Sequence, residues 1–415
     1  MCQYIGYLSV NFYCPFLAAT FAPYYYCMPL NFNDTAIAFQ YRSNKQLKRA
    51  QFLFSSMSSP TLTSIGMGLT KFAMSWGLPV KGLVKRTIFE QFCGGETIEE
   101  AAVTANALAK FGVGIILDYS VEGKEEEAEF DRAVQEFIKA IQFAAAQKNI
   151  PFISVKITGF ARFGLLEQLH SGTTLSTDEQ AEWERVQKRI LDICVVAAAS
   201  NVMVLIDAEE SWIQAPVDLL ADDMMARFNT TTPIIFNTFQ MYRHDRLEFL
   251  YASAPKAESA GYILGAKLVR GAYMEKERAR ALENGYTSPI QSSKEATDKD
   301  YDAGVLYCLE RIEKIAVFIG THNEQSCLKA AEYMQAHNIP ATHPHVWFSQ
   351  LYGMSDNISF NLAHAGYHVA KYLPYGPVKD VVPYLMRRAQ ENTSVAGQTG
   401  RELGLINKEL KRRGV

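Results

Sequence analysis

The chain of 415 residues has no C-x-x-C pair. Its cysteines, Cys2, Cys14, Cys27, Cys93, Cys194, Cys308 and Cys327, are odd in number and scattered. That excludes a disulfide framework and points to structural thiols in a reducing compartment. The closest histidine pair, His343 and His345 in "THPHVW", flanks a proline and reads as a loop, so no metal site is expected. No G-x-G-x-x-G follows a strand; the lone G-x-G of Gly66 and Gly68 is no dinucleotide fingerprint. With 41 Lys and Arg against 44 Asp and Glu, and no basic stripe, nucleic acid is excluded as the main partner.

Residues 1–27 contain no Lys, Arg, Asp or Glu. They lack the basic start of a signal peptide and the arginines of a transit peptide. Asn11, Pro15 and Pro23 interrupt them as a membrane span. A non-native or disordered extension is the expectation, with a weak membrane-contacting segment as the second reading. "MPLNFNDTAIAF" from Met28 reads as an ordinary soluble start. Residues 28–92 read as a helical arm broken at Pro60, Gly77 and Pro79, without a strand.

What is present is a rhythm. From Glu96 a helix, whose first turn carries Glu96, Glu99 and Glu100 where the dipole favours acids, precedes "VGIILDY". The alternation then repeats through "FISVKI", "VMVLIDA", "PIIFN", "YILGAKLV", "IAVFIG", "HVWFS" and "HVAKYL". These are short apolar runs of buried-strand type, separated by helical segments. One of those helices is expected to open with an N-cap at Thr177. Eight successive βα units predict an α/β fold, a (β/α)₈ TIM-type barrel over 93–394 with the N-terminal arm before it and a helix over 395–415. A doubly wound open sheet is the alternative.

A barrel carries its active site at the C-terminal ends of its strands. The polar residues there are Asp118, Lys156, Asp207 with Glu209 and Glu210, Asn237 and Gln240, Lys267, Thr321 with His322 and Asn323, Lys371 and Tyr372. Each has a bland alternative: Asp118 as a turn cap, Lys156 pointing outward, His322 as a satisfied core histidine. In "VVPYLMRRAQEN", helical spacing puts Tyr384, Arg387, Arg388 and Glu391 on one face, with Pro383 near the start where proline is tolerated. A solvated face is the alternative for the arginines. Two guanidiniums beside Tyr372 and Tyr384 suit a small carboxylic acid with an apolar body. Gly271 in "KLVRGAY" reads as a place where a ligand approaches the backbone.

Taken together, "EQFCGGETIEEA", "LDYSVEG", "DAEES", "KLVRGAYMEKERARA", "THNE", "QLYGM" and "KYLPYGPVKDVVPYLMRRAQEN" resemble proline dehydrogenase over roughly Lys81 to Ser394. The resemblance implies an FAD enzyme that oxidises L-proline to Δ1-pyrroline-5-carboxylate and passes electrons to a membrane quinone. Arg387 and Arg388 would hold the carboxylate, braced by Glu391. Tyr372, Tyr384 and Leu351 would wall the ring. Asp118 would sit beside it, partnered by Lys81, with Lys85 as the other choice. Lys267 would face flavin N5. Asn237, Val269, Arg270, Gly271, Ala272, Tyr273, Thr321, His322 and Asn323 would contact the FAD. A lysine at 267 resembles the monofunctional branch, so a separate pyrroline-5-carboxylate dehydrogenase is expected downstream. Hydroxyproline dehydrogenase on the same scaffold is the near rival, and Tyr372 argues for proline; a non-enzymatic barrel that binds a small acid is the remote one. The expected location is cytoplasmic, peripheral at the inner face of a bacterial membrane, or the matrix side of a mitochondrion although no transit peptide is visible. The basic tail "INKELKRRGV" reads as a solvated helix end, with contact to an anionic membrane as the alternative.

Overall fold

The computed structural model describes residues 30–57, 88–119, 124–394 and 398–415. Eight parallel strands close into a barrel in sequence order. They are β1 (Val113–Tyr119), β2 (Phe152–Lys156), β3 (Met203–Asp207), β4 (Ile235–Gln240), β5 (Leu264–Val269), β6 (Ile315–Gly320), β7 (Val346–Leu351) and β8 (Val369–Tyr375). Closure is made by β8 on β1, paired from Val113↔Val369 through Tyr119↔Tyr375.

Strand residues alternate between the two faces. Ile115, Leu117, Ile153, Val155, Val204, Ile206, Leu264, Leu268, Val317 and Ile319 face outward into the main core beneath the helices. Ile116, Phe152, Leu205, Phe236, Phe318 and Ala370 fill the barrel interior, where Phe152 sits 5.1 Å from Phe318 and 5.9 Å from Phe236, ring centre to ring centre. One step along from this apolar plug, the same inward parity delivers Asp118, Lys156, Asp207, Lys267 and Tyr372 to the C-terminal mouth.

Several elements depart from the sequence reading. The helix Thr177–Ser200 is capped by Ser176, not Thr177: Ser176 and Glu179 close a reciprocal capping box. β4 runs three residues past "PIIFN", because Thr238 and Gln240 fit the pleat as inward polar residues. β2 and β5 are each followed by two helices, the additional ones being Phe163–Ser171 and Met274–Asn284. The helix carrying Arg387 and Arg388 starts at Val378, so Pro383 lies inside it.

The arm helix Asn44–Met57 and the C-terminal helix Gln398–Arg413 pack together outside the barrel. Leu47, Ala50 and Phe54 belong to one apolar cluster with Leu405, Ile406 and Leu410, and that cluster also holds Tyr372 and Tyr384. The basic tail is engaged within the fold. Arg413 donates to the carbonyls of Phe39 and Arg42, both at 2.8 Å, and Arg412 pairs with the buried Glu409. No helix among the described residues is long and apolar enough to cross a membrane.

Candidate active site

At the mouth, five buried side chains, one from each of β1, β2, β3, β5 and β8, form one network. Lys156 Nζ lies 3.2 Å from Asp118 Oδ1 and donates to the Tyr372 hydroxyl at 3.2 Å. That hydroxyl donates to Asp207 Oδ2 at 2.8 Å. Lys267 Nζ donates to Asp207 Oδ1 at 2.5 Å. Two lysines and two aspartates balance in charge, as buried ions must. Burial pushes the Asp207 carboxyl up, but Lys267 and Lys156 together outweigh it and hold it below the usual range. Burial, then Asp118 and Asp207, push the Tyr372 hydroxyl well above its usual value, so it acts here as a donor.

In the helix Val378–Ser394, Tyr384 and Arg388 are buried, and Tyr384 shares an apolar cluster with Tyr372. The Arg388 guanidinium stands 5.0 Å from the Tyr384 ring centre. Arg387 stands 5.8 Å from the ring of Tyr273, in the loop after β5. Arg387 thus meets the loop after β5, Arg388 stacks on its own helix's Tyr384, and a purely solvated face is ruled out for Arg388.

The β5 and β6 loops are tied to each other. Arg270 donates to Thr321 Oγ1 at 2.6 Å and to Asp298 at 2.7 Å, over the ring of Tyr301. Gly271 has φ +136°, and a Cβ there would lie 2.4 Å from the Tyr242 ring. Packing and backbone by themselves already demand a glycine there; the adjacent Ala272 is exposed. Val269 ends β5, and its carbonyl accepts from Met241 N–H. His322 Nδ1 lies 2.9 Å from Ser355 Oγ. Burial, then the positive charges of Lys371, Arg388 and Arg270, push His322 down to about 3, so the ring is neutral. Asn323 accepts from Gln325 and Ser326 N–H as the N-cap of Glu324–Ala336. Leu351 ends β7 on the inward face, packed against the cluster of Tyr372 and Tyr384.

Lys81 and Lys85 lie outside the described residues, as does the side chain of Glu391; among the described residues the lysine beside Asp118 is Lys156. One assignment shifts. Asn237 points away from the mouth. It donates to Asp218 at 2.8 Å in the helix layer, because strand alternation turns Thr238 and Gln240 inward instead. Gln240 is 2 % exposed and donates to the Glu209 carbonyl at 2.8 Å. Its Oε1 is buried without a partner among the described residues. Lys156, Asp207 and Gln240 all stood at strand ends in the sequence; only the parity of each strand, which fixes inside from outside, separates them from Asn237. The outward Lys371 is 0 % exposed and bonds Asp356 at 3.0 Å.

Residues 101–401 match the family described as proline dehydrogenase. The chain belongs to the proline dehydrogenase family of oxidoreductases. It is 36% identical to the carbapenem antibiotics biosynthesis protein CarD of Pectobacterium carotovorum, over 78% of this chain and 83% of that protein. It is 32% identical to proline dehydrogenase 2 of Arabidopsis thaliana, over 80% and 79% respectively. It is 31% identical to hydroxyproline dehydrogenase of Xenopus laevis, over 92% and 90%. Among solved structures, proline utilization A from Bdellovibrio bacteriovorus superposes with a TM-score of 0.69 at 20% identity over 88% of this chain. The chain spans 38% of that longer protein, and the likeness confirms the barrel.

Proposed function

We propose that the chain oxidises L-proline to Δ1-pyrroline-5-carboxylate with FAD as its cofactor and a quinone as electron acceptor. The observation that carries this reading is the charge-balanced Asp118–Lys156–Tyr372–Asp207–Lys267 network, whose Tyr372 shares an apolar cluster with Tyr384, on which Arg388 stacks. It makes a preorganised polar floor and an aromatic, cationic roof for a small zwitterion. Membership of the proline dehydrogenase family supports it.

The residues present fit a flavin. The unpartnered Gln240 Oε1 is an acceptor for a heterocyclic N–H at the mouth. Lys267, with Val269, Arg270 and the backbone of Gly271, Ala272 and Tyr273, would line its β5 side. Thr321, His322 and Asn323 would line its β6 side. When bound, the flavin supplies the hydride acceptor, and Lys267 is the cation that would balance the charge delivered there. Arg387 and Arg388 would fork onto the substrate carboxylate, and Tyr372, Tyr384 and Leu351 would fix the ring and exclude water. Loss of the ring N–H proton and of hydride from C5 together make the C=N bond. Asp118 would accept that proton, with Lys156 holding its orientation.

The test is turnover of L-proline with an artificial electron acceptor, with the product identified by a mass two hydrogens below proline. Purified full-length protein without bound flavin and without proline-dependent turnover would overturn the reading. The Xenopus relative motivates a second reading, hydroxyproline as substrate. The ratio of kcat/KM for L-proline and trans-4-hydroxy-L-proline decides between them, and Tyr372 favours proline.

A further inference from the structure

The C-terminal helix Gln398–Arg413 lies outside the barrel, yet two adjacent residues of it reach the barrel's strand-end segments, Arg401 the helix start after β6 and Glu402 the loop after β7. Arg401 forks onto Glu324, with Nε 2.8 Å from Oε1 and Nη2 3.1 Å from Oε2. Glu324 also accepts from Asn357 at 2.9 Å. Glu402, 5 % exposed, accepts the Ser355 N–H at 2.5 Å. Ser355 in turn meets His322 Nδ1 through its hydroxyl. No other hydrogen bond to His322 is found among the described residues, so Nε2 is the ring nitrogen left to a ligand.

Ser355 does this in a left-handed backbone conformation, φ +50°, ψ +43°. A serine there is held against its own preference. The bond from its N–H to the Glu402 carboxylate and the Ser355–His322 bond help fix it, beside its carbonyl's role at the start of the helix Asp356–His364. The surroundings of Glu402 are charged on several sides: Asp356, itself bonded to Lys371 and Arg42, and then Lys371.

We propose that Glu402 and Arg401 are positioning residues for the cofactor site, acting through Ser355 and Glu324 to set the orientation of His322 and the loop Thr321–Glu324. The proposal rests on the reading that His322 faces the flavin. It makes the C-terminal helix part of the site. Burial, then nearby Asp356, push Glu402 up to about 7. Glutamine is therefore a close substitute for it near neutral pH, and alanine is not.

The experiment compares full-length wild type with Glu402→Ala, Glu402→Gln, Ser355→Ala and Arg401→Ala. It reads the FAD dissociation constant of deflavinated protein, and amide hydrogen exchange of the same protein without FAD. Glu402→Ala and Ser355→Ala are each expected to weaken FAD about tenfold or more, on the order of 1.4 kcal/mol. Glu402→Gln is expected to stay within about threefold. Exchange should quicken around residues 321–326 and 354–358 and stay unchanged in β1 to β4. In a His322→Ala background, Glu402→Ala should add nothing further. Unchanged FAD affinity in Glu402→Ala, full additivity with His322→Ala, or exchange that rises evenly through the barrel would each overturn the proposal, the last by showing a general structural role. Wild type that binds no FAD would instead overturn the proposed function.

Discussion

At the scale of single residues, Arg387 and Arg388 carry the largest expected effects. Removing one partner of a desolvated charge pair costs about 2–5 kcal/mol, roughly 30- to several-thousand-fold in an equilibrium or rate ratio. Arg388→Met and Arg387→Met should lower kcat/KM for L-proline within that range, mainly through KM. Lysine should restore only part, because it lacks the fork. Pyrrolidine, which has no carboxylate, should be nearly indifferent to both changes. Tyr372 has two separable duties: its ring faces the mouth, and its hydroxyl bridges Lys156 to Asp207. Tyr372→Ser should raise trans-4-hydroxyproline turnover relative to proline, whereas Tyr372→Phe should slow both without moving the ratio. Equal ratios in the serine variant and wild type would show that the ring walls nothing. Lys156→Met removes a cation from between Asp118 and Asp207, a change that typically costs about 3–5 kcal/mol for a buried pair. The double variant Lys156→Met/Asp118→Asn should recover much of that loss in a denaturant titration.

At the scale of elements, the β5 loop is the most constrained. Gly271→Ala must adopt φ +136° and meet the Tyr242 ring. It should therefore abolish flavin retention, and Tyr242→Ala should rescue only in part, since the backbone demand remains. Full rescue would show that crowding alone matters. The strands were legible because a parallel barrel buries both faces, which writes unbroken apolar runs such as "VGIILDY" and "IAVFIG" into the chain. The site was less legible for the same reason. A continuous apolar run does not reveal its own parity, so Asn237 and Gln240 looked equivalent until the pleat turned one to Asp218 and the other to the mouth. Lys156 was seen as a strand-end lysine but not as the partner of Asp118, because that pairing joins two different strands. The helices Phe163–Ser171 and Met274–Asn284 were missed inside loops. Met274–Asn284 is held by the Glu277 carboxylate accepting from Ser211 N–H and Oγ at 2.7 and 2.6 Å, a tertiary bond that local pattern does not contain.

At the scale of the whole molecule, two buried carboxyls pull the pH dependence of stability in opposite directions. Asp207 has a depressed folded pKa, so its contribution is present above the unfolded value of about 3.9 and is lost as pH falls through the folded one. Glu402 is raised to about 7, so its contribution is complete below the unfolded carboxyl range and is lost as pH rises toward 7. With these two groups, the flavin-free protein should melt highest at about pH 4, between their unfolded values. The melting temperature should then decline toward pH 7–8, by the equivalent of on the order of 2–3 kcal/mol. Glu402→Gln should flatten that decline, and a decline of the same size in the variant would refute its assignment to Glu402. The central claim, that this barrel joins a flavin to proline at one site, is tested most directly by anaerobic spectroscopy of the purified full-length protein. It should be yellow, and L-proline alone should bleach the flavin band near 450 nm, with Arg388→Met bleaching only at much higher proline. A flavin band that L-proline leaves unchanged, or a colourless protein that takes up no FAD, would contradict it.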